Sequence, residues 1–151
     1  MADKIQTYKD LDAWRVAMDQ TDRLYDLAIL LPDTERYGLR TQIQRAAVSV
    51  PSNVAEGQGY GPGGRYAHHV RLSLGSVGEL GTLLEVAARR KYVARAVVDG
   101  LDAELIRVRQ LLHGLLRSIR KEQAKSALWW LPLVVPPAAL LLSMFDWLIV
   151  R

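Results

Sequence analysis

Cysteine is absent from the 151 residues. That excludes disulfides, thiolate zinc sites, iron–sulfur ligation and cysteine catalysis, and it suits a reducing cytoplasm. Histidine is scarce, with only His68, His69 and His113. Two of these are adjacent, so on a helix they point about 100° apart. No His-x-x-x-His spacing occurs, so no metal site or other cofactor is expected, and solvated or RNA-facing histidines are the default reading. The N-terminus, Met-Ala-Asp-Lys-Ile-Gln, has no apolar core of a secretory signal. Segments of strand period never exceed a few residues. Gly and Pro together number 17 and charged residues make up 24%, which fits neither a disordered chain nor a fibrous repeat. Phe occurs once and Trp four times, three of them within the last 23 residues, so the composition is uneven.

A division at Lys125 accounts for this unevenness. Residues 1–125 hold 19 Lys/Arg and 15 Asp/Glu, the whole net charge of +4, whereas residues 126–151 add only Asp146 and Arg151. The first segment reads as one domain of four helices. Leu11, Trp14, Met18, Thr21, Tyr25 and Ala28 recur at steps of 3 and 4, placing them on one helical face, with Asp10 as N-cap. A second helix starts near Arg36 and carries Leu39, Ile43, Ala46, Val50 and Val54. Pro51 falls inside it and is expected to kink or interrupt it. The run Gly57–Gly64 is the main break in the chain. A third helix follows, from Arg65 to Arg90, and then a fourth through Val98, Leu101, Leu105, Val108, Leu112, Leu115 and Ile119. Short connections between four helices imply an all-α, antiparallel up-and-down bundle.

Several local patterns invite a function. Gly59-x-Gly61-x-x-Gly64 matches the dinucleotide fingerprint in letters, but a helix rather than a strand precedes it, so it reads as a helix–helix connection. Gly75, Gly78 and Gly81 lie three residues apart, a row expected to mark close helix–helix contact within the chain or between subunits. Asn53 and Glu56 share a face beside Pro51. Glu56 could serve as a general base, but bracing backbone groups freed by the proline, or a subunit contact, is the favoured reading. Ser49 and Ser52 lack an identifiable base, so no hydrolytic triad can be assembled and no enzyme is expected.

The cations are the better lead. Arg36, Arg40 and Arg45 lie along helix two, and Arg65 and Arg71 flank Tyr66, His68 and His69 at the start of helix three. Arg89, Arg90, Lys91 and Arg95 form a dense cluster at a helix end, and Arg107, Arg109, Arg117, Arg120 and Lys121 continue along helix four. Many cations with few base-reading groups suit affinity for a phosphate backbone, although solvated faces and helix-dipole complementarity are the plainer alternative.

Tyr8-Lys-Asp-Leu-Asp-Ala-Trp14, Tyr37-Gly-Leu-Arg40, Gln44-Arg-Ala-Ala-Val-Ser-Val-Pro-Ser-Asn-Val-Ala-Glu-Gly57 and Ser73-Leu-Gly-Ser-Val-Gly-Glu-Leu80 occur in this order. Over residues 5–121 the chain resembles the "four helix bundle protein" family. Its members include bacterial proteins encoded in intervening sequences of large-subunit rRNA genes and the accessory variability proteins of diversity-generating retroelements. The resemblance implies a homopentameric, barrel-like scaffold without catalytic activity. In the retroelement branch it implies binding of nucleic acid and a reverse transcriptase through basic surfaces. Two departures stand out: the Gly-rich loop after Glu56, and the tail.

That tail is the one membrane candidate. Residues 127–150 include 19 apolar residues of 24 and as a helix would span about 36 Å, enough for a bilayer core of about 30 Å. Arg117, Arg120, Lys121 and Lys125 precede it, and Trp129, Trp130 and Trp147 lie near its ends, as a cytoplasmic bundle on a C-terminal anchor requires. Pro132, Pro136, Pro137 and Asp146 oppose that reading. Packing on the bundle or between subunits, or a non-functional addition, therefore stand beside it. The expected functions are an RNA-contacting scaffold or a membrane-tethered structural oligomer.

Overall fold

The computed structural model describes residues 5–128. A 3₁₀ turn (Tyr8–Asp10) leads into α1 (Asp12–Leu30), a second turn (Asp33–Glu35) into α2 (Leu39–Gly59), and then come α3 (Gly64–Arg89) and α4 (Arg95–Leu128). The described residues contain no strand. Each helix packs on the one before it, and α4 closes the ring against α1. This is the all-α four-helix arrangement expected from the periodicity.

The core lies along the bundle axis and is aliphatic: Leu24, Ile43, Val54, Val70, Val77, Leu80, Leu84, Val98, Val108 and Leu112 are fully buried. In α1 the buried face is centred on Ala13, Ala17, Thr21, Leu24 and Ala28. Trp14 and Met18 are only half-buried and Tyr25 is exposed. The 3-and-4 spacing therefore caught Thr21 and Ala28, and ran along the edge of the face at Trp14, Met18 and Tyr25. Ala13, Ala17, Thr21 and Ala28 on the buried face are small, which lets α1 approach its neighbours beside Leu24. In α4 the register turns in the same manner, with Leu116 buried and Leu115 half-buried.

The caps differ from expectation as well. Asp10 caps no part of α1. Its carboxylate accepts hydrogen bonds from the backbone N–H groups of Gln6 (2.9 Å) and Thr7 (2.8 Å), closing a capping box around the first turn. Those bonds, above all the one from Thr7, hold the Asp10 carboxyl below its ordinary pKa.

Pro51 does not interrupt α2, which is continuous from Leu39 to Gly59. The proline removes the N–H that would serve the Ala47 carbonyl, and the Thr21 hydroxyl from α1 stands 3.1 Å from that oxygen. Asn53 and Glu56 do not brace this carbonyl. The Asn53 amide instead donates to the Ser49 carbonyl at 2.9 Å, and Glu56 is exposed.

The glycine row also departs from expectation. A Cβ on Gly75 or Gly78 would meet nothing within 4 Å, and one on Gly81 would come only to 3.9 Å from Asp102. Within the chain Gly75 and Gly78 are open, because they lie on the outer side of α3, and Gly81 faces α4 without close contact. The close approach is at Gly57, where a Cβ would fall 2.6 Å from the Tyr66 ring.

Candidate nucleic-acid interface

The topology sorts the cations by the two ends of the bundle. One end holds the α1–α2 and α3–α4 connections, tied together where the Tyr92 hydroxyl donates to Glu35 at 3.1 Å. It gathers Arg36, Arg40, Arg89, Arg90, Lys91 and Arg95. The other end holds the start of α1, the α2–α3 turn and the close of α4, and carries Arg65, Arg117, Arg120 and Lys121. α2 runs between the two ends, about 30 Å at 1.5 Å per residue over its 21 residues. Arg45 and Arg71 lie along the sides, both exposed.

At the first end the cations are not equivalent. The Arg40 guanidinium donates to the Leu31 carbonyl and sits 3.4 Å from Asp33, with its side chain only 20% exposed. It holds the α1–α2 connection in place and is committed to the fold. Glu85 accepts from Arg89 Nε and from Arg95 Nη1, each at 2.6 Å. These two partners, Arg95 first, hold the Glu85 carboxyl down to about 2. Arg36, Arg90 and Lys91 have no ion-pair partner among the described residues. Arg36 lies 5.7 Å from the ring centre of Tyr37, and Arg90 the same distance from that of Tyr92. The contact with Tyr92 raises the pKa of Arg90 above its ordinary value.

Lys91 has φ of 58°. The N–H of Tyr92 reaches the Ala87 carbonyl at 3.0 Å and that of Lys91 the Ala88 carbonyl at 2.9 Å. These two bonds form a Schellman ending, a place usually taken by glycine. A lysine in this left-handed conformation costs about 1 kcal/mol relative to glycine.

At the other end α4 outruns its neighbours. Gly81 faces Asp102 across the α3–α4 contact, and antiparallel counting brings Gly64 level with about residue 119. Ile119 is the last buried residue among those described. The helix continues to Leu128, so residues 120–128 project about 13 Å beyond the bundle. From Arg107 to Lys125 this helix has Arg107, Arg109, Arg117, Arg120, Lys121 and Lys125 against a single carboxylate, Glu122. Arg117, Arg120 and Lys121 line an open basic concavity with Ser118.

The α2–α3 contact contains a polar seam. Asn53 Nδ2 donates to the carbonyl and hydroxyl of Ser49, at 2.9 and 3.1 Å. Its Oδ1 lies 3.1 Å from His69 Nδ1, so in the neutral imidazole Nδ1 carries the proton. The Ser76 hydroxyl donates to that of Ser49 at 2.9 Å, and the buried Ser73 hydroxyl donates to the Val50 carbonyl, also at 2.9 Å. His69 is 15% exposed and sits 3.8 Å from Glu56, so it is not the solvated histidine expected. Among the described residues no imidazole or carboxylate is hydrogen-bonded to Ser49. The seam fixes the pairing of α2 with α3, and Asn53 spends its amide there. His113 and His68 are exposed. No metal-ligating group of three or more His, Asp or Glu occurs among the described residues.

Sequence reasoning passed over Glu85 and Tyr60, and it placed Thr21 on the α1 face without its bond to the Ala47 carbonyl. The spacing from Glu85 to Arg89 was a visible helical pair, but the Arg95 contact crosses a turn. The tail, residues 126–151, lies almost wholly outside the described residues, and so does the membrane reading placed on it. Among the described residues no helix is long and apolar enough to cross a membrane.

In fold the chain is similar to a solved protein of unknown function from the S23 ribosomal protein family of Bacteroides thetaiotaomicron VPI-5482. That structure aligns with a TM-score of 0.65 at 17% identity, over 70% of this chain and 95% of the other. No curated protein matches. The family model described as 23S rRNA-intervening sequence protein matches residues 9–114, well over half the length, and the chain belongs to that family.

Proposed function

We propose that this protein is a non-enzymatic, self-associating scaffold that holds structured RNA, or an RNA–protein complex such as one containing a reverse-transcriptase-like enzyme, through its two basic ends. The observation that carries the reading is Lys91. A cation without an ion pair among the described residues occupies a left-handed position that glycine would fill at lower cost. It follows Arg90 in the chain and shares its end of the bundle with Arg36, both also without ion pairs among the described residues. The family's description connects its members with intervening sequences of 23S rRNA, which makes structured RNA the first polyanion to test.

Self-association strengthens the proposal. One chain carries +4, and a homopentamer would carry about +20, with the fields of neighbouring subunits adding. The open apolar groove formed by Tyr8, Trp14, Met18, Val48, Pro51 and Ala55 and the bare face at Gly75 and Gly78 are the surfaces offered for it.

A second reading rests on residues 127–150, whose apolar run and flanking cations suit a membrane tether for a cytoplasmic oligomer. The deciding experiment titrates the full chain with a structured RNA and with anionic vesicles at several salt concentrations, recording particle mass in parallel. Affinity for RNA that falls steeply with salt supports the scaffold. Partition into vesicles without affinity for RNA supports the tether.

A further inference from the structure

The α2–α3 turn carries a cluster of planar groups that the fold itself does not require. Tyr60 is 50% exposed, and its hydroxyl makes no hydrogen bond among the described residues. The ring stacks on His69, with centroids 5.4 Å apart and planes 27° from parallel. The Arg65 guanidinium lies 5.5 Å from the same Tyr60 centroid. His68 meets His69 edge-on at 5.7 Å. The histidine is not free to turn, because Asn53 Oδ1 holds its Nδ1 at 3.1 Å. That amide is in turn fixed by Ser49. The platform is therefore clamped to the core at one end and open to solvent at the other.

Its surroundings are bare. A Cβ on Gly59, Gly61, Gly63 or Gly64 would meet nothing within 4 Å outside its chain neighbours, so the turn is loosely packed at these positions. Arg65 and the Glu56 carboxylate are charges at the platform, Glu56 lying 3.8 Å from His69.

We propose that Tyr60, His69 and Arg65 form a stacking platform for an unpaired nucleobase of RNA. The inference rests on the RNA-scaffold reading and deepens it: the basic ends hold phosphates, and this turn holds a base. Exposed aromatic faces beside an arginine plane are how proteins grip splayed, single-stranded bases without reading their sequence. A held imidazole beneath Tyr60 keeps the ring from collapsing onto the bundle, so its order is already present before a base arrives. Tyr37 at the opposite end is 89% exposed and has an arginine nearby. It has no second ring beneath it, and serves as the internal comparison.

The test uses the full chain and three labelled RNA probes: a single-stranded hexaadenylate, an abasic chain of equal length, and a fully paired hairpin. Tyr60→Ala is expected to weaken hexaadenylate binding about tenfold, leaving the abasic chain, the salt dependence and the thermal midpoint unchanged. Tyr60→Phe keeps the ring and retains affinity, and Tyr37→Ala changes nothing. The platform is overturned if Tyr60→Ala binds hexaadenylate as the parent does, if it weakens the abasic chain equally, or if Tyr37→Ala gives the same loss. A parent that binds the hairpin strongly while Tyr60→Ala has no effect removes the platform and keeps the basic scaffold. A parent that binds none of the three removes both.

Discussion

The Thr21 hydroxyl lies 3.1 Å from the Ala47 carbonyl oxygen, the acceptor that Pro51 deprives of its helical partner. The same hydroxyl stands 2.8 Å from the Ala17 carbonyl of its own helix, so its single proton is shared between the two helices. A proline in mid-helix is thereby accommodated by a hydroxyl 26 residues before the carbonyl it serves, and α2 continues without a break.

A double-mutant cycle tests that relationship. Thr21→Val keeps the buried volume and leaves the Ala47 oxygen unpartnered, which should cost about 1–3 kcal/mol in chemical denaturation. Pro51→Ala restores an N–H to that oxygen, so in its background the Thr21→Val cost should shrink by about 1 kcal/mol. Equal costs in both backgrounds would mean that the hydroxyl serves only Ala17.

The glycines should separate by position. Gly57→Ala drives a methyl to within 2.6 Å of the Tyr66 ring and 3.0 Å of His69 Cβ, and should destabilise the chain by about 1–3 kcal/mol. Gly75→Ala and Gly78→Ala meet empty space and should each stabilise the helix by about 0.5–1 kcal/mol. Thermal midpoints measure the folding effect, and particle mass measures the assembly. If Gly75→Ala lowers the mass while raising the midpoint, the row belongs to a contact between copies.

Glu85 sets the acid behaviour of the α3–α4 turn. Its carboxyl is held down to about 2 by Arg95 and Arg89, below its ordinary value of 4.5. A carboxyl depressed on folding contributes stability above its unfolded pKa, and that contribution is lost as pH falls through the folded one. The loss should therefore occur between about pH 4.5 and 2. Carboxyl chemical shifts should show the low midpoint in the parent and a higher one in Arg95→Gln, and Glu85→Gln should flatten this part of the stability profile. A Glu85 midpoint near 4.5 would dissolve the triad.

The helices, their order and most buried positions could be read from spacing alone, because the 3-and-4 step and the apolar runs are local properties. The centre of the α1 face was not legible: Ala13 and Ala17 carry little hydrophobic signal, although close packing makes them core. The cation inventory was legible too, but its division into two ends was not. Arg40 and Arg36 are one turn apart in sequence, yet Arg40 donates to a carbonyl of the fold and Arg36 has no carboxylate partner among the described residues. Tyr60, Arg65 and His69 looked like turn and helix start, since a stacked arrangement across a loop leaves no periodic trace.

Lys91 separates stability from function most directly. Glycine takes a φ of 58° without the Cβ penalty, so Lys91→Gly should raise the stability of the folded chain by about 1 kcal/mol. If the lysine contacts phosphate, the same change should weaken RNA binding and reduce the slope of log affinity against log salt by about 1. The two readouts then move in opposite directions, which loss of structure cannot produce. Arg40→Gln supplies the contrast. It breaks the tie to the Leu31 carbonyl, so stability should fall, while the salt slope at temperatures below unfolding should stay where it was. Should Lys91→Gly stabilise the protein and leave RNA binding intact, the α3–α4 end would drop out of the interface, and the overhang of α4, with Arg117, Arg120 and Lys121, would be left to carry the polyanion alone.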